Sequence, residues 1–437
     1  MNIIENSKKH LTSPYVLVMG LLFFVFSLFN YYWFSSSNVF TSSCGDLAAV
    51  YYGVDMMKEG KNPYSVKGDY FDTGKEKVEV TYNYLPFYGF LVWFIDLLDF
   101  KYVKFLWFLL STIFAIFSLV FIFKIVHVFK PDLDVTDLFL VSSLFLNFKP
   151  FFTGLVSGQN HTLVLMLISG GVYYYLKDKR ILSAVFLSLV MLIKVNFVLF
   201  LPFFLVRRDF KMVLNLLMST GIFLLISLLV VKPIFYWNFV EHLLDRIPIN
   251  KIVFFSPNTQ ALGGFIMRVF HINEYGSVFN LPLALVKKIV LIANVLILSL
   301  SLVGINILRA RTSSKAKFVS LFLMVSSVIL VAPFSWKHYF TWTFLFFVVS
   351  LYVFNPLFKE QQKLFFIMLL GFLIIAVNPL YLFVDFIKDI FGKGFVVYFD
   401  MFKKPWAVLF DYDYFYVLLI SWIYLLEGIF KRKVDIV

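Results

Sequence analysis

Residues 104–126 read KFLWFLLSTIFAIFSLVFIFKIV, an apolar run with no charge between Lys104 and Lys124. A run of about 18 or more such residues can cross a bilayer as a helix. A lipid-facing barrel strand would alternate every second residue, and this run does not. Outward from it, comparable segments stand at 14–34, 84–98, 136–147, 161–176, 181–193, 197–206 and 212–231, then at 283–308, 317–333, 338–354, 364–384 and 414–430. The 437 residues are 61% hydrophobic and 21% aromatic, with 58 Phe, which is more apolar surface than a soluble domain can hide. The expectation is an all-α polytopic membrane protein with about 12–14 membrane segments, some short or broken. It reads as a single integral membrane domain over 1–437.

The net charge of +13 would suggest nucleic acid in a soluble protein. Here the cations sit at segment ends: Lys177, Lys179 and Arg180; Arg207, Arg208 and Lys211; Arg309, Arg311, Lys315 and Lys317. That is the positive-inside pattern, so it speaks to topology and no nucleic-acid partner is expected. Lys8, Lys9 and His10 before the first helix, and Lys431, Arg432 and Lys433 after the last, put both termini in the cytoplasm of a plasma (inner) membrane protein. The long polar loops 35–83, 232–282 and 385–413 then lie on the extracytoplasmic side. The single cysteine, Cys44, excludes an intrachain disulfide. Ser42-Ser43-Cys44-Gly45 is not read as a lipoprotein site, because Thr41 stands where an apolar residue is needed. The helix Pro14–Phe34 is too long for a signal segment and reads as a retained anchor. With no Walker-type glycine loop and no soluble cytoplasmic domain, ATP-driven transport by this chain alone is not expected.

Two segments do not fit simple spans. Residues 181–206 are flanked by cations at both ends, so the chain must go out and return, with a break near Lys194-Val195-Asn196. Residues 136–160 need a break near Lys149-Pro150 and end outside at Gly158-Gln159-Asn160. Broken backbone at membrane depth survives where it is buried in protein or lines a polar cavity. Both breaks therefore point at an outward-facing site.

Asp46 opens the amphipathic stretch containing Leu47, Val50, Tyr51, Val54 and Met57, a helix along the outer surface. Asp46 stands at or near the N-cap of that helix and reads equally as a cap at the positive end of the helix dipole or as a catalytic carboxylate, and one residue can do both. Asp55 reads as a solvated charge. Lys194 interrupts an apolar run, at a cost of roughly 2.5–3.5 kcal/mol on insertion scales, and is a functional candidate able to hold a phosphate as a point charge. The bland alternative is a lysine snorkelling from a helix end. Asn258-Thr259-Gln260 leads into a short helix from Gln260 to Arg268. Arg268 can bind an anionic headgroup or be an interfacial charge. Ser335-Trp336-Lys337-His338-Tyr339 joins two apolar segments, and a lone His338 there is more often structural. The tyrosines, Tyr52 and Tyr84 among them, also suit an interfacial aromatic belt. No His, Cys or carboxylate cluster has metal-ligand spacing, so no metal is expected.

In this order, Gly45-Asp46-Leu47-Ala48-Ala49-Val50-Tyr51-Tyr52, Gly60-Lys61-Asn62-Pro63-Tyr64 and Tyr84-Leu85-Pro86-Phe87 resemble the opening of glycosyltransferase family 87. Gly158-Gln159-Asn160, Lys194 in its hairpin, Asn258-Thr259-Gln260, Arg268 and Ser335-Trp336-Lys337-His338 continue the resemblance, from about residue 40 to about residue 345. That family contains the polyprenol-phosphate-mannose-dependent mannosyltransferases. The resemblance implies a GT-C architecture with the active site under the first outer loop. It implies Asp46 as general base, a polyprenyl-phosphate-linked hexose donor (mannose at family level), a lipid or glycan acceptor, and no cofactor. Lys194, Arg268, Gln159, Asn160, Asn258, His338, Tyr52 and Tyr84 are then the expected donor-phosphate or substrate contacts. The chain departs from the family pattern at Lys337-His338-Tyr339, where an acidic or small residue and two histidines often stand. Two other classes fit a many-span chain: a lipid-linked saccharide flippase, which would need repeat symmetry and midplane charges, and a surface-polysaccharide polymerase, for which Arg246 and Arg268 are few outer-loop arginines.

Overall fold

The computed structural model describes residues 14–34, 41–65, 70–73, 77–246, 259–271, 278–333, 335–354, 359–377 and 412–431. In chain order the helices are α1 (Pro14–Phe34), α2 (Gly45–Lys58), α3 (Pro86–Leu91), α4 (Phe100–Phe129), α5 (Val135–Leu146), α6 (Lys149–Ser157) and α7 (His161–Leu176). They continue as α8 (Arg180–Ile193), α9 (Phe200–Val206), α10 (Phe210–Ser227), α11 (Pro233–Arg246), α12 (Leu262–Phe270), α13 (Leu283–Leu308), α14 (Ser314–Val331), α15 (Thr343–Val353), α16 (Lys359–Val377) and α17 (Asp413–Phe430). One small antiparallel hairpin, β1 (Tyr70–Asp72) with β2 (Lys77–Glu79), pairs Phe71 with Val78 beside α2. The protein is an all-α polytopic membrane protein.

Among the described residues five helices are long and apolar enough to cross a membrane, and the bent α5–α6 pair makes a sixth candidate. Shorter apolar helices, including α7, α8 and the 195–206 segment, fill the space between them. The 30 residues of α4 rise about 45 Å, more than the apolar thickness of a bilayer. α14 is the central helix, 83% buried over its apolar window, and its serines serve its neighbours. Ser327 shares a 2.6 Å hydrogen bond with Ser301 of α13, and Trp422 of α17 donates to Ser301 at 2.8 Å.

Local sequence sets several boundaries. Asp134 accepts from the Asp137 N–H at 2.9 Å while Asp137 accepts from the Asp134 N–H, a reciprocal cap that starts α5. Asp209 and Ser313 cap α10 and α14. The break near Lys149-Pro150 falls at Asn147-Phe148, with a 49° bend. Pro150 stands at the start of α6, where its missing N–H costs nothing, so it begins the second helix. The Lys194 break is where it is expected: α8 ends there and a 3₁₀ turn over Val195–Leu199 leads into α9.

Two expectations need correction. Segment 84–98 is no span, since α3 starts at Pro86 and its six residues rise only about 9 Å. The 232–282 stretch carries α11 and α12. The helix expected over Gln260–Arg268 runs Leu262–Phe270, because Thr259 and Gln260 bond instead to the Ser335-Trp336 strand segment. Most of loop 385–413, together with Lys8, Lys9, His10, Arg432 and Lys433, lies outside the described residues.

The α7–α8 hairpin carries the site. It closes tightly because Gly170 and Gly171 face α8; an added Cβ would stand 2.5 Å from the Phe186 ring and 2.5 Å from Leu187, respectively. Ser183 donates to the Gly171 carbonyl at 2.8 Å across the same seam. Gly171→Ile is predicted to overpack it and destabilise the protein by about 1–3 kcal/mol. Thermal unfolding in detergent checks this; an unchanged midpoint would show that the seam is loose.

Candidate active site

α2 begins at Gly45, after Cys44 in the left-handed region (φ 48°), so Asp46 lies in the first helical turn and is not the N-cap. With the N-cap at Cys44 it lies near the cap and not at it, in the first turn where a carboxylate favours the positive end of the helix dipole. The turn ahead of it is fixed from two sides. Lys104 of α4, itself buried, donates to the Ser42 carbonyl at 3.2 Å, and Ser42 donates to the Val156 carbonyl of α6 at 2.9 Å. Gly158, with φ +72°, lies against α2 so closely that a Cβ would sit 2.6 Å from Leu47. A side chain there would push α2 off the 158–160 loop.

That loop is pinned at its carbonyls. Trp107 of α4 donates to the Gln159 carbonyl at 3.4 Å, and Trp342 donates to the His161 carbonyl at 3.1 Å. Gln159 and Asn160 are buried. The Gln159 side chain accepts from the Tyr84 hydroxyl at 3.0 Å and hydrogen-bonds Asp46. Lys194 arrives from the far arm of the α7–α8 hairpin. Its ammonium sits 5.0 Å from the ring centre of Tyr84 and 4.7 Å from that of Tyr339, and lies 3.4 Å from the Tyr339 hydroxyl. Cation–π attraction holds a desolvated ammonium in this way without neutralising it.

Asp46 and Lys194 sense each other electrostatically, yet no ion pair within 4.0 Å joins them among the described residues. Asp46 is surrounded deeply enough that burial raises its carboxyl above the usual range, while the Gln159 hydrogen bond and the Lys194 charge pull it back. Asp46, Tyr84 and Tyr339 nevertheless keep partly accessible surface, while Lys194, Gln159 and His338 behind them are buried. His338 lies within electrostatic reach of Lys194 and of His161. The Nε2 atoms of both histidines are buried with no hydrogen-bond partner among the described residues.

Asp46, Tyr84, Gln159, Lys194 and His338 thus come together from separate parts of the chain, with Asn160 buried beside Tyr88. Arg268 belongs to a second group: it is buried at 1% exposure, with its guanidinium 5.6 Å from the Tyr412 ring centre. Tyr52 packs against Phe71 of β1. Asn258 lies outside the described residues. Sequence reasoning missed His161, Tyr339 and Trp342. His161 and Tyr339 each directly follow a residue already singled out, Asn160 and His338, and that adjacency was the available signal. Among the described residues no group of His, Cys, Asp and Glu could hold a metal ion.

A profile described as glycosyltransferase family 87 matches residues 82–333, more than half of the 437-residue chain. The chain belongs to glycosyltransferase family 87. It is therefore a membrane glycosyltransferase, an enzyme. The matched stretch contains Tyr84, Gln159, Asn160, Lys194, Asn258 and Arg268, and does not reach Asp46, Tyr52 or His338. It is thus narrower than the resemblance drawn from the motifs. No curated protein matches the chain.

The couplings around Asp46 predict its titration. The carboxyl should titrate above 3.8, the ordinary value. Removing a cation that favours the charged form must raise the pKa further, so Lys194→Met should move the midpoint upward. The carboxyl stretch in infrared difference spectra, assigned by its loss in Asp46→Asn, reads both. A Lys194→Met midpoint at or below that of the wild type would contradict the coupling.

Proposed function

We propose that this family 87 enzyme transfers a hexose, mannose by family precedent, from a polyprenyl-phosphate-linked donor to a hydroxyl of a lipid or glycan acceptor on the extracytoplasmic face. Asp46 takes the proton from the acceptor hydroxyl. The acceptor oxygen bonds to C1 of the sugar as the bond from C1 to the phosphate oxygen breaks, and the electron pair leaves with the polyprenyl monophosphate. Lys194 meets the negative charge that develops on that phosphate. Gln159 orients the carboxylate. Tyr84 and Tyr339 hold the ammonium without pairing it, so its charge stays available to an anion. Neither a metal nor another cofactor has a role in this reading, and the apolar helices supply the surroundings that a polyprenyl chain needs.

The observation that carries the proposal is the combination of a carboxylate and an ammonium that are coupled but not in contact, with accessible surface at the carboxylate. A base at Asp46 contributes typically about 10²–10⁴-fold. Asp46→Asn should therefore lose about that much turnover while folding normally. The assay incubates purified protein with polyprenyl-phosphate sugars and candidate acceptors and measures released polyprenyl phosphate. Full activity of Asp46→Asn removes the assignment of the base. Turnover of a nucleotide sugar, with none of the lipid-linked donors, removes the assignment of the donor.

A further inference from the structure

The opposite end of the α7–α8 hairpin holds a cavity that sugar transfer does not use. α7 has 16 residues, so the 177–180 turn lies about 24 Å from the Gln159 loop. A cavity of about 490 Å³ opens there, lined by residues 178–182 on one side and by Lys211, Leu214 and Asn215 of α10 on the other.

The acidic groups nearby are already engaged. Lys317 holds both Asp178 oxygens at 2.8 Å. Arg180 contacts Asp178 at 3.4 Å and Asp209 at 3.0 Å, and Asp209 also caps α10. Lys179 and Lys211 are different: both line the cavity, and neither side chain has an ion pair or hydrogen bond among the described residues. α8 starts at the cavity with no side-chain cap; the Arg180 N–H is taken by the Asp178 carbonyl at 3.0 Å, which leaves the N–H groups of Ile181 and Leu182 and the positive end of the dipole to face an anion.

The walls below these cations are apolar and bare. Ile181 is 67% exposed and Leu214 57%, and the stripe continues along α10 through Leu217, Met218 and Leu225. A soluble anion has no use for such a wall, whereas a lipid has both a headgroup and a chain to place. We propose that this cavity binds an anionic phospholipid, its phosphate on Lys179, Lys211 and the first turn of α8, and an acyl chain along Ile181, Leu214 and Leu217. Basic pockets between membrane helices have the charge and position to take such headgroups.

The test titrates full-length protein in detergent with phosphatidylglycerol, phosphatidylcholine or inorganic phosphate and follows the thermal midpoint. Phosphatidylglycerol should raise the midpoint and the other two should not. The variant Lys179→Ala/Lys211→Ala should weaken the apparent affinity about thirtyfold, and Lys179→Arg/Lys211→Arg should keep most of it. An undiminished response in the alanine variant overturns the site. An equal response to phosphatidylcholine overturns the role of charge, and an equal response to inorganic phosphate overturns the lipid in favour of a free anion. If the alanine variant is poorly folded, phosphatidylglycerol adducts in native mass spectra of Lys179→Gln/Lys211→Gln decide the matter in the same two directions.

Discussion

An isolated charge in apolar surroundings costs several kcal/mol unless it is paired or neutralised, and this chain keeps two of opposite sign at one site. Asp46 and Lys194 feel each other without touching. Direct contact would satisfy both and leave nothing for a third party. Separate supports keep them apart: Gln159 bonds the carboxylate, and the rings of Tyr84 and Tyr339 flank the ammonium. The pair is left unsatisfied in the sense that suits a reaction with a proton donor at one end and an anionic leaving group at the other.

The fold makes that spacing possible. Gln159 stands at the start of one arm of the α7–α8 hairpin and Lys194 at the end of the other, so a tight seam through Gly170 and Gly171 returns the lysine to the level of the glutamine. Indole N–H groups from α4 and from the segment before α15 fix the loop carbonyls. The far end is anchored by Arg207, which reaches the Tyr175 hydroxyl at 3.1 Å, Ser320 at 2.7 Å and the Arg311 carbonyl at 3.1 Å. These bonds tie down the end of the hairpin opposite Gln159 and Lys194.

Much of this was legible in the sequence because bilayer physics is severe. Length and apolarity identify the long helices, and the cation clusters forced the breaks near Lys149 and Lys194. The failures have equally local causes. Residues 84–98 are apolar enough for a span, but Pro86 starts a short helix there, and composition alone does not reveal that. Asp46 has the chemistry of a cap; only the backbone at Cys44 shows that the helix starts two residues earlier than that role requires. Tyr339 adjoins His338 in a stretch already singled out, but nothing in a sequence shows which of 24 tyrosine rings will lie over a lysine more than a hundred positions away. Arg268 shares the buried character of Lys194 but sits in its own group with Tyr412.

The most direct measurement is an electron cryomicroscopy structure of the enzyme with a bound polyprenyl-phosphate sugar. The phosphate should lie about 3 Å from the Lys194 ammonium, with C1 of the sugar turned toward the Asp46 carboxylate. A phosphate seated elsewhere, with Lys194 still enclosed only by Tyr84 and Tyr339, would contradict this account.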